Sequence, residues 1–85
     1  MTGRRIKLND GTIFEDSTCG CSDGFLWCFI VGHTMQEVSQ KFFDVHATSK
    51  ITFEYGEMTD SYDGYTSVIF MKSTEYGCDI CLVNQ

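Results

Sequence analysis

FEYGEMTDSYDGYT, residues 53–66, decides how the rest of the chain is read. It holds three tyrosines (Tyr55, Tyr62, Tyr65), two glycines (Gly56, Gly64) and four acids (Glu54, Glu57, Asp60, Asp63). Residues 51–71 contain neither Lys nor Arg, so these acids have no basic neighbour in sequence. Glycines at turn positions predict two strand ends joined by an aromatic, acidic loop. Tyrosine beside acid makes that loop a candidate recognition surface, since Tyr gives a large contact area at low entropic cost.

On its amino-terminal side, Ile51, Phe53 and Tyr55 alternate with Thr52 and Glu54, the period of a strand. On its carboxyl side, residues 66–72 (TSVIFMK) and 78–83 (CDICLV) predict two more strands. Residues 34–45 predict the single helix. Thr34 and Glu37 have capping-box spacing, and Met35, Val38, Phe42 and Val45 recur on one face. Before it, residues 25–31 (FLWCFIV) form an unbroken apolar run, which predicts a central strand covered on both faces. Residues 18–24 read as a Gly-, Ser- and Cys-rich loop.

Residues 4–17 read as a β-hairpin turning at Asp10-Gly11, a dipeptide suited to a two-residue type I′ turn. That turn sets Leu8 opposite Ile13, Ile6 opposite Glu15 and Arg5 opposite Asp16. The expected fold is therefore α+β. It is a single domain over residues 1–85, with a mostly antiparallel sheet of five to six strands and the helix on one face, in the order β-β-β-α-β-β-β.

Twelve acids against six bases give a net charge of −6, which disfavours non-specific nucleic-acid binding. It suits contact with a basic protein groove instead. The amino terminus has charge but no apolar run after it, so neither an export signal nor a membrane segment is expected. Eighty-five residues bury only about 60% of the unfolded surface, and self-association is one way to bury more.

The five cysteines (Cys19, Cys21, Cys28, Cys78, Cys81) are expected to be reduced. Cys19, Cys21, Cys78 and Cys81 form two close pairs that could suit zinc. Against this, the spacing of Cys78 and Cys81 in a strand-like run points them to opposite faces. His33 and His46 bracket the helix, outside any Cys/His ligand spacing, and nothing sets either beside Cys19 or Cys21 as a base. The acidic loop fails as an EF-hand, because the ligand positions fall on Thr59 and Phe70. No GxxxxGK[ST] or GxGxxG motif occurs. No catalytic residue, metal or cofactor is therefore expected.

RIKLNDGTIFE at residues 5–15, Cys-Gly-x-Ser-Asp-Gly-x-Leu-Trp at Cys19–Trp27, Thr-Met-x-Glu at Thr34–Glu37 and YGEMTDSYDGYT at residues 55–66 together resemble a small family. It is encoded in phages and prophages of Gram-positive bacteria, often near tail genes, and has no settled activity. Asp44-Val45 stands where such relatives tend to carry Asp-Pro. The resemblance implies a phage setting, from which a non-enzymatic inhibitor of host defence, acting in the host cytoplasm, is the leading expectation. The partner is then a bacterial immune effector or a nucleotide second messenger.

As an acidic decoy, the protein would present Glu54, Glu57, Asp60 and Asp63 to a basic groove, anchored by Tyr55, Tyr62 and Tyr65. As a nucleotide sponge, it would stack Tyr or Trp27 on a base and place Arg4, Arg5 or Lys7 on phosphate. The alternative is a minor structural component of a phage tail or baseplate.

Overall fold

The computed structural model describes residues 3–84. In chain order these form β1 (Arg4–Lys7), β2 (Ile13–Glu15), β3 (Thr18–Ser22), β4 (Phe25–Val31), α1 (Met35–Phe42), α2 (Val45–Thr48), β5 (Lys50–Tyr55), β6 (Met58–Asp63), β7 (Ser67–Ser73) and β8 (Gly77–Val83). The strands make two four-stranded antiparallel sheets, ordered β2-β1-β5-β6 and β3-β4-β8-β7. The molecule is thus mostly β. This corrects the expected α+β fold with one sheet of five to six strands.

Two stretches expected to be loops account for the difference. Asp23 and Gly24 both have positive φ (52° and 83°) and close a two-residue loop that sets Ser22 opposite Phe25. Residues 18–22 therefore pair as a strand despite their Gly and Ser content. Gly56 (φ 59°) occupies the first position of the loop joining Tyr55 to Met58, as a type II′ turn requires. Most of the acidic stretch is consequently strand β6.

The first hairpin is correct in kind and wrong in register. Its loop has three residues, Asn9, Asp10 and Gly11, with Gly11 at φ 92°. The Leu8 N–H donates to the Thr12 carbonyl at 2.8 Å, and the Thr12 N–H donates to Asp10 Oδ1 at 3.0 Å. Ile6 then lies opposite Phe14 and Arg5 opposite Glu15. Because side chains alternate, this one-residue shift buries Phe14 and leaves Ile13 43% exposed.

The two sheets share one core. Ile6, Leu8, Phe14, Ile51 and Phe53 of the first meet Leu26, Cys28, Ile30, Ile80 and Leu82 of the second. Edge strands of one sheet lead directly into edge strands of the other: β2 into β3 through Asp16 and Ser17, and β6 into β7 through residues 64–66. Asp16 bends the chain at φ 58°, and fully buried Ser17 holds the corner. Its hydroxyl donates to the Glu15 carbonyl at 3.0 Å and accepts from the Val31 N–H at 3.1 Å.

The helical segment adds Val38, Phe42 and Ala47 to the core. The capping box forms as expected: Thr34 Oγ1 accepts from the Glu37 N–H, and Glu37 Oε1 accepts from the Thr34 N–H at 2.7 Å. The expected single helix over 34–45 is instead two helices. Asp44 has extended backbone and caps α2 by accepting from the His46 N–H at 3.0 Å, so it interrupts α1. Val45, expected on the buried face, is exposed.

The register is testable by denaturation. Phe14→Ala should cost about 3–5 kcal/mol and Ile13→Ala no more than about 1 kcal/mol. The reverse ranking would restore the two-residue turn.

Candidate functional site

The residues expected to form one surface are split by strand alternation. On β6, Asp60 and Tyr62 face inward, opposite Phe53 and Ile51, while Asp63 falls on the other side, opposite Lys50. Glu57 sits in the β5–β6 turn. The acids therefore do not converge.

The tyrosines pack rather than project. Tyr55 stacks on Phe53 with ring centroids 4.7 Å apart, and its hydroxyl donates to Asp60 Oδ2 at 3.0 Å. Tyr62 and Tyr65 meet edge to face at 6.4 Å, and the Tyr65 hydroxyl contacts Cys21 Sγ at 2.9 Å. All three lie half-buried against the core. Burial, then the neighbouring Cys19, Asp60, Cys21 and Tyr55, push the Tyr62 phenol up to about 12.

The expected nucleotide-binding set is not brought together either. Arg4 and Arg5 lie on β1 in the first sheet, and Trp27 lies on β4 in the second. Arg5 Nε donates to Glu54 Oε1 at 2.6 Å, and Glu15 stands on its other flank. The 250 Å³ depression there is lined by Gly3, Arg5, Glu15, Glu54 and Gly56, an acidic surround ill-suited to phosphate. Cys78 faces the core and Cys81 the opposite side of β8. Among the described residues no group of three His, Cys, Asp or Glu is placed to hold a metal ion.

Trp27 belongs to a different surface. On β4, Leu26, Cys28 and Ile30 enter the core, which turns Phe25, Trp27, Phe29 and Val31 outward. Across the sheet Trp27 aligns with Gly20 on β3, Cys81 on β8 and Phe70 on β7. Gly20 contributes no side chain beside the indole. The Trp27 and Phe70 rings lie 5.9 Å apart, and Cys81 between them is fully buried.

Phe70 reaches this face through an irregularity in β7. The register shifts between Val68 and Phe70, so Ile69 is an extra residue and both Ile69 and Phe70 are exposed. Phe25 is 39% exposed, Trp27 48%, Ile69 53% and Phe70 44%. Together these four leave roughly 400 Å² of largely apolar surface in water, the size of the largest patch on many monomers and often a functional one. Val31 is also exposed, but the Phe29–Asp79 pair and Lys72 separate it from them.

The outer face of the first sheet follows the usual rule. Arg5, Lys7, Glu15, Thr52, Glu54 and Ser61 make it mainly polar, although Ile13, paired with Lys7, is exposed there too. The second sheet departs from it, and the expectation that both faces of Phe25–Val31 are covered is corrected: one face lies open within this chain. The strand is nevertheless central, flanked by β3 and β8. Ile69 and Phe70 were not among the expected site residues, because a bulge has no clear signature in TSVIFMK. A second apolar concavity of 490 Å³ lies between α1 and β7, lined by Met35, Gln36, Ser39, Phe43 and Met71.

Tyr62 offers a pH test of its packing. The phenol ionises near pH 10 in an unfolded chain and near 12 in the fold, so folding favours its neutral form. Its stabilisation is complete below pH about 10 and is lost as pH rises past about 12. Alkaline titration followed by tyrosine absorbance should show a late step that Tyr62→Phe removes. Ionisation of Tyr62 with the earliest tyrosine would contradict this packing. No protein-family model, curated protein or solved structure matches the chain.

Proposed function

We propose that this chain is a non-enzymatic binding protein that docks another protein onto the outer face of its second sheet. One observation carries the reading: Phe25, Trp27, Ile69 and Phe70 stand exposed together, whereas the counterpart face in the first sheet is mainly polar. Aromatic side chains at the centre of a patch are the usual source of binding energy between proteins.

In the phage setting implied by the family resemblance, the partner is an effector of bacterial immunity, bound in the host cytoplasm and thereby disabled. Among the described residues no helix is long and apolar enough to cross a membrane. A protein partner is favoured over a nucleotide messenger because Arg5 is already paired with Glu54 and lies in the other sheet from Trp27. The decoy variant is disfavoured by the scatter of Glu57, Asp60 and Asp63.

The same uncovered face supports a second reading, a minor tail or baseplate component, since an assembly subunit shows such a face when alone. Mass spectrometry of purified virions separates the two, because an inhibitor should be absent from particles.

A pull-down from infected host lysate identifies the partner, and titration calorimetry with that partner tests the face. Trp27→Ser and Phe70→Ser should each weaken binding by roughly 30-fold, the loss typical of a hot-spot side chain. Glu57→Ser with Asp63→Ser should leave it nearly unchanged. Full affinity in the Trp27→Ser, Phe70→Ser double variant, with folding intact by circular dichroism, would remove this face from the account.

A further inference from the structure

Cys19 on β3 and Cys28 on β4 are directly opposite one another, and both point into the core. Their Sγ atoms are 3.3 Å apart. Antiparallel pairs alternate between hydrogen-bonded and non-hydrogen-bonded positions. Counting from the two-residue Asp23–Gly24 loop, Cys19 and Cys28 fall at a non-hydrogen-bonded pair, where the backbones approach most closely. A disulfide needs the sulfurs about 2.05 Å apart, so side-chain rotation of little more than 1 Å closes the gap without a change of register.

The other thiols differ from this pair. Cys78 and Cys81 lie on opposite faces of β8, and Cys21 is exposed against the Tyr65 hydroxyl. The second sheet begins at β3, a five-residue strand that, among the described residues, receives its ladder from β4 alone. An edge strand of that kind opens locally at lower cost than the core strands, which gives a small reagent a route to Cys19.

We infer that Cys19 and Cys28 form a thiol–disulfide exchange site that reacts with small-molecule disulfides and closes into a cross-strand bridge. The Cys19 thiolate attacks one sulfur of the reagent disulfide, forming a mixed disulfide and displacing one thiolate. Cys28 Sγ then attacks Cys19 Sγ, breaking the mixed disulfide and releasing the second reagent thiolate. The two protons given up by the cysteines end on the two released thiols. Two protein thiols are oxidised to one disulfide, and one reagent disulfide is reduced to two thiols.

The hydrogen bond with the Cys19 thiol, and then burial, hold the Cys28 thiol well above its ordinary range, so the second step accelerates at alkaline pH. The bridge pins β3 to β4 one residue from the Gly20–Trp27 pair, and so stiffens the edge beside the indole. The inference stands whatever that face binds.

The test uses the reduced full chain, treated with oxidised glutathione at pH about 8.5, near the ordinary thiol pKa. Remaining thiols are then alkylated under denaturing conditions and mapped by peptide mass spectrometry. The expected product has lost two hydrogens through a Cys19–Cys28 link, with Cys78 and Cys81 alkylated. Its Tm should rise by roughly 10 °C and fall back on reduction, as a cross-link closing a loop of about ten residues predicts. The same chain carrying Cys21→Ser should behave alike. Cys19 and Cys28 still open to alkylation after the exposed Cys21 has been consumed would overturn the site. A bridge joining other cysteines, or one that lowers Tm, would overturn it equally.

Discussion

The structure depends on a period of two in β4. Leu26, Cys28 and Ile30 enter the core, where they pack with Ile80 and Leu82 of the neighbouring central strand β8 and with the apolar face of the first sheet. Once those three are inside, Phe25, Trp27, Phe29 and Val31 must be outside, whatever their chemistry. The bulge in β7 then adds Ile69 and Phe70 to the same side. A fold results whose first outer face is mainly polar and whose second carries an aromatic cluster. Covering roughly 400 Å² of apolar surface is worth on the order of 10 kcal/mol, comparable with the cost of bringing two proteins together. The aromatic face can therefore nucleate a complex, and a polar rim on the partner must supply the surplus that makes it tight.

Much of the fold could be read from residue order where local chemistry and burial agree. The Thr34–Glu37 capping box and the strands expected over 25–31, 51–55, 66–72 and 78–83 belong to that group. The errors came where one signal had two solutions. Asp-Gly occurs at 10–11, 23–24 and 63–64, yet only the second is a two-residue turn with both φ values positive. At the first, Asp10 accepts from the Thr12 N–H, and an extra loop residue lets Phe14 rather than Ile13 reach the core. Core packing chose the register, and the dipeptide permitted either. The strand at 58–63 was hidden by its polarity: its inward acid, Asp60, stays half-buried and accepts from the Tyr55 hydroxyl.

Of the residues expected to bind, Trp27 alone lies in the exposed aromatic cluster of the second sheet. Glu57, Asp60, Tyr62 and Asp63 are neighbours in sequence, but alternation sends successive residues to opposite faces. The tyrosines that suggested recognition instead seal the core, with Tyr62 ringed by Cys19, Asp60, Cys21 and Tyr55. Arg4 and Arg5 share the amino-terminal strand but not a face: Arg4 lies opposite Tyr55, and Arg5 is engaged by Glu54 on the outer side. An unbroken apolar run such as Phe25–Val31 says that both faces avoid water. It does not say whether the second cover comes from the same chain.

Trp27 is the chain's single tryptophan, so its fluorescence reports this face directly. Acrylamide quenching of the dilute protein, alone and saturated with its captured partner, measures the central claim. The account predicts a red-shifted emission that acrylamide quenches freely in the isolated chain, shifting to the blue and becoming protected in the complex. Emission already blue and protected in the isolated chain would mean that the face is covered from within. An indole still freely quenched in the complex would mean that the partner binds elsewhere.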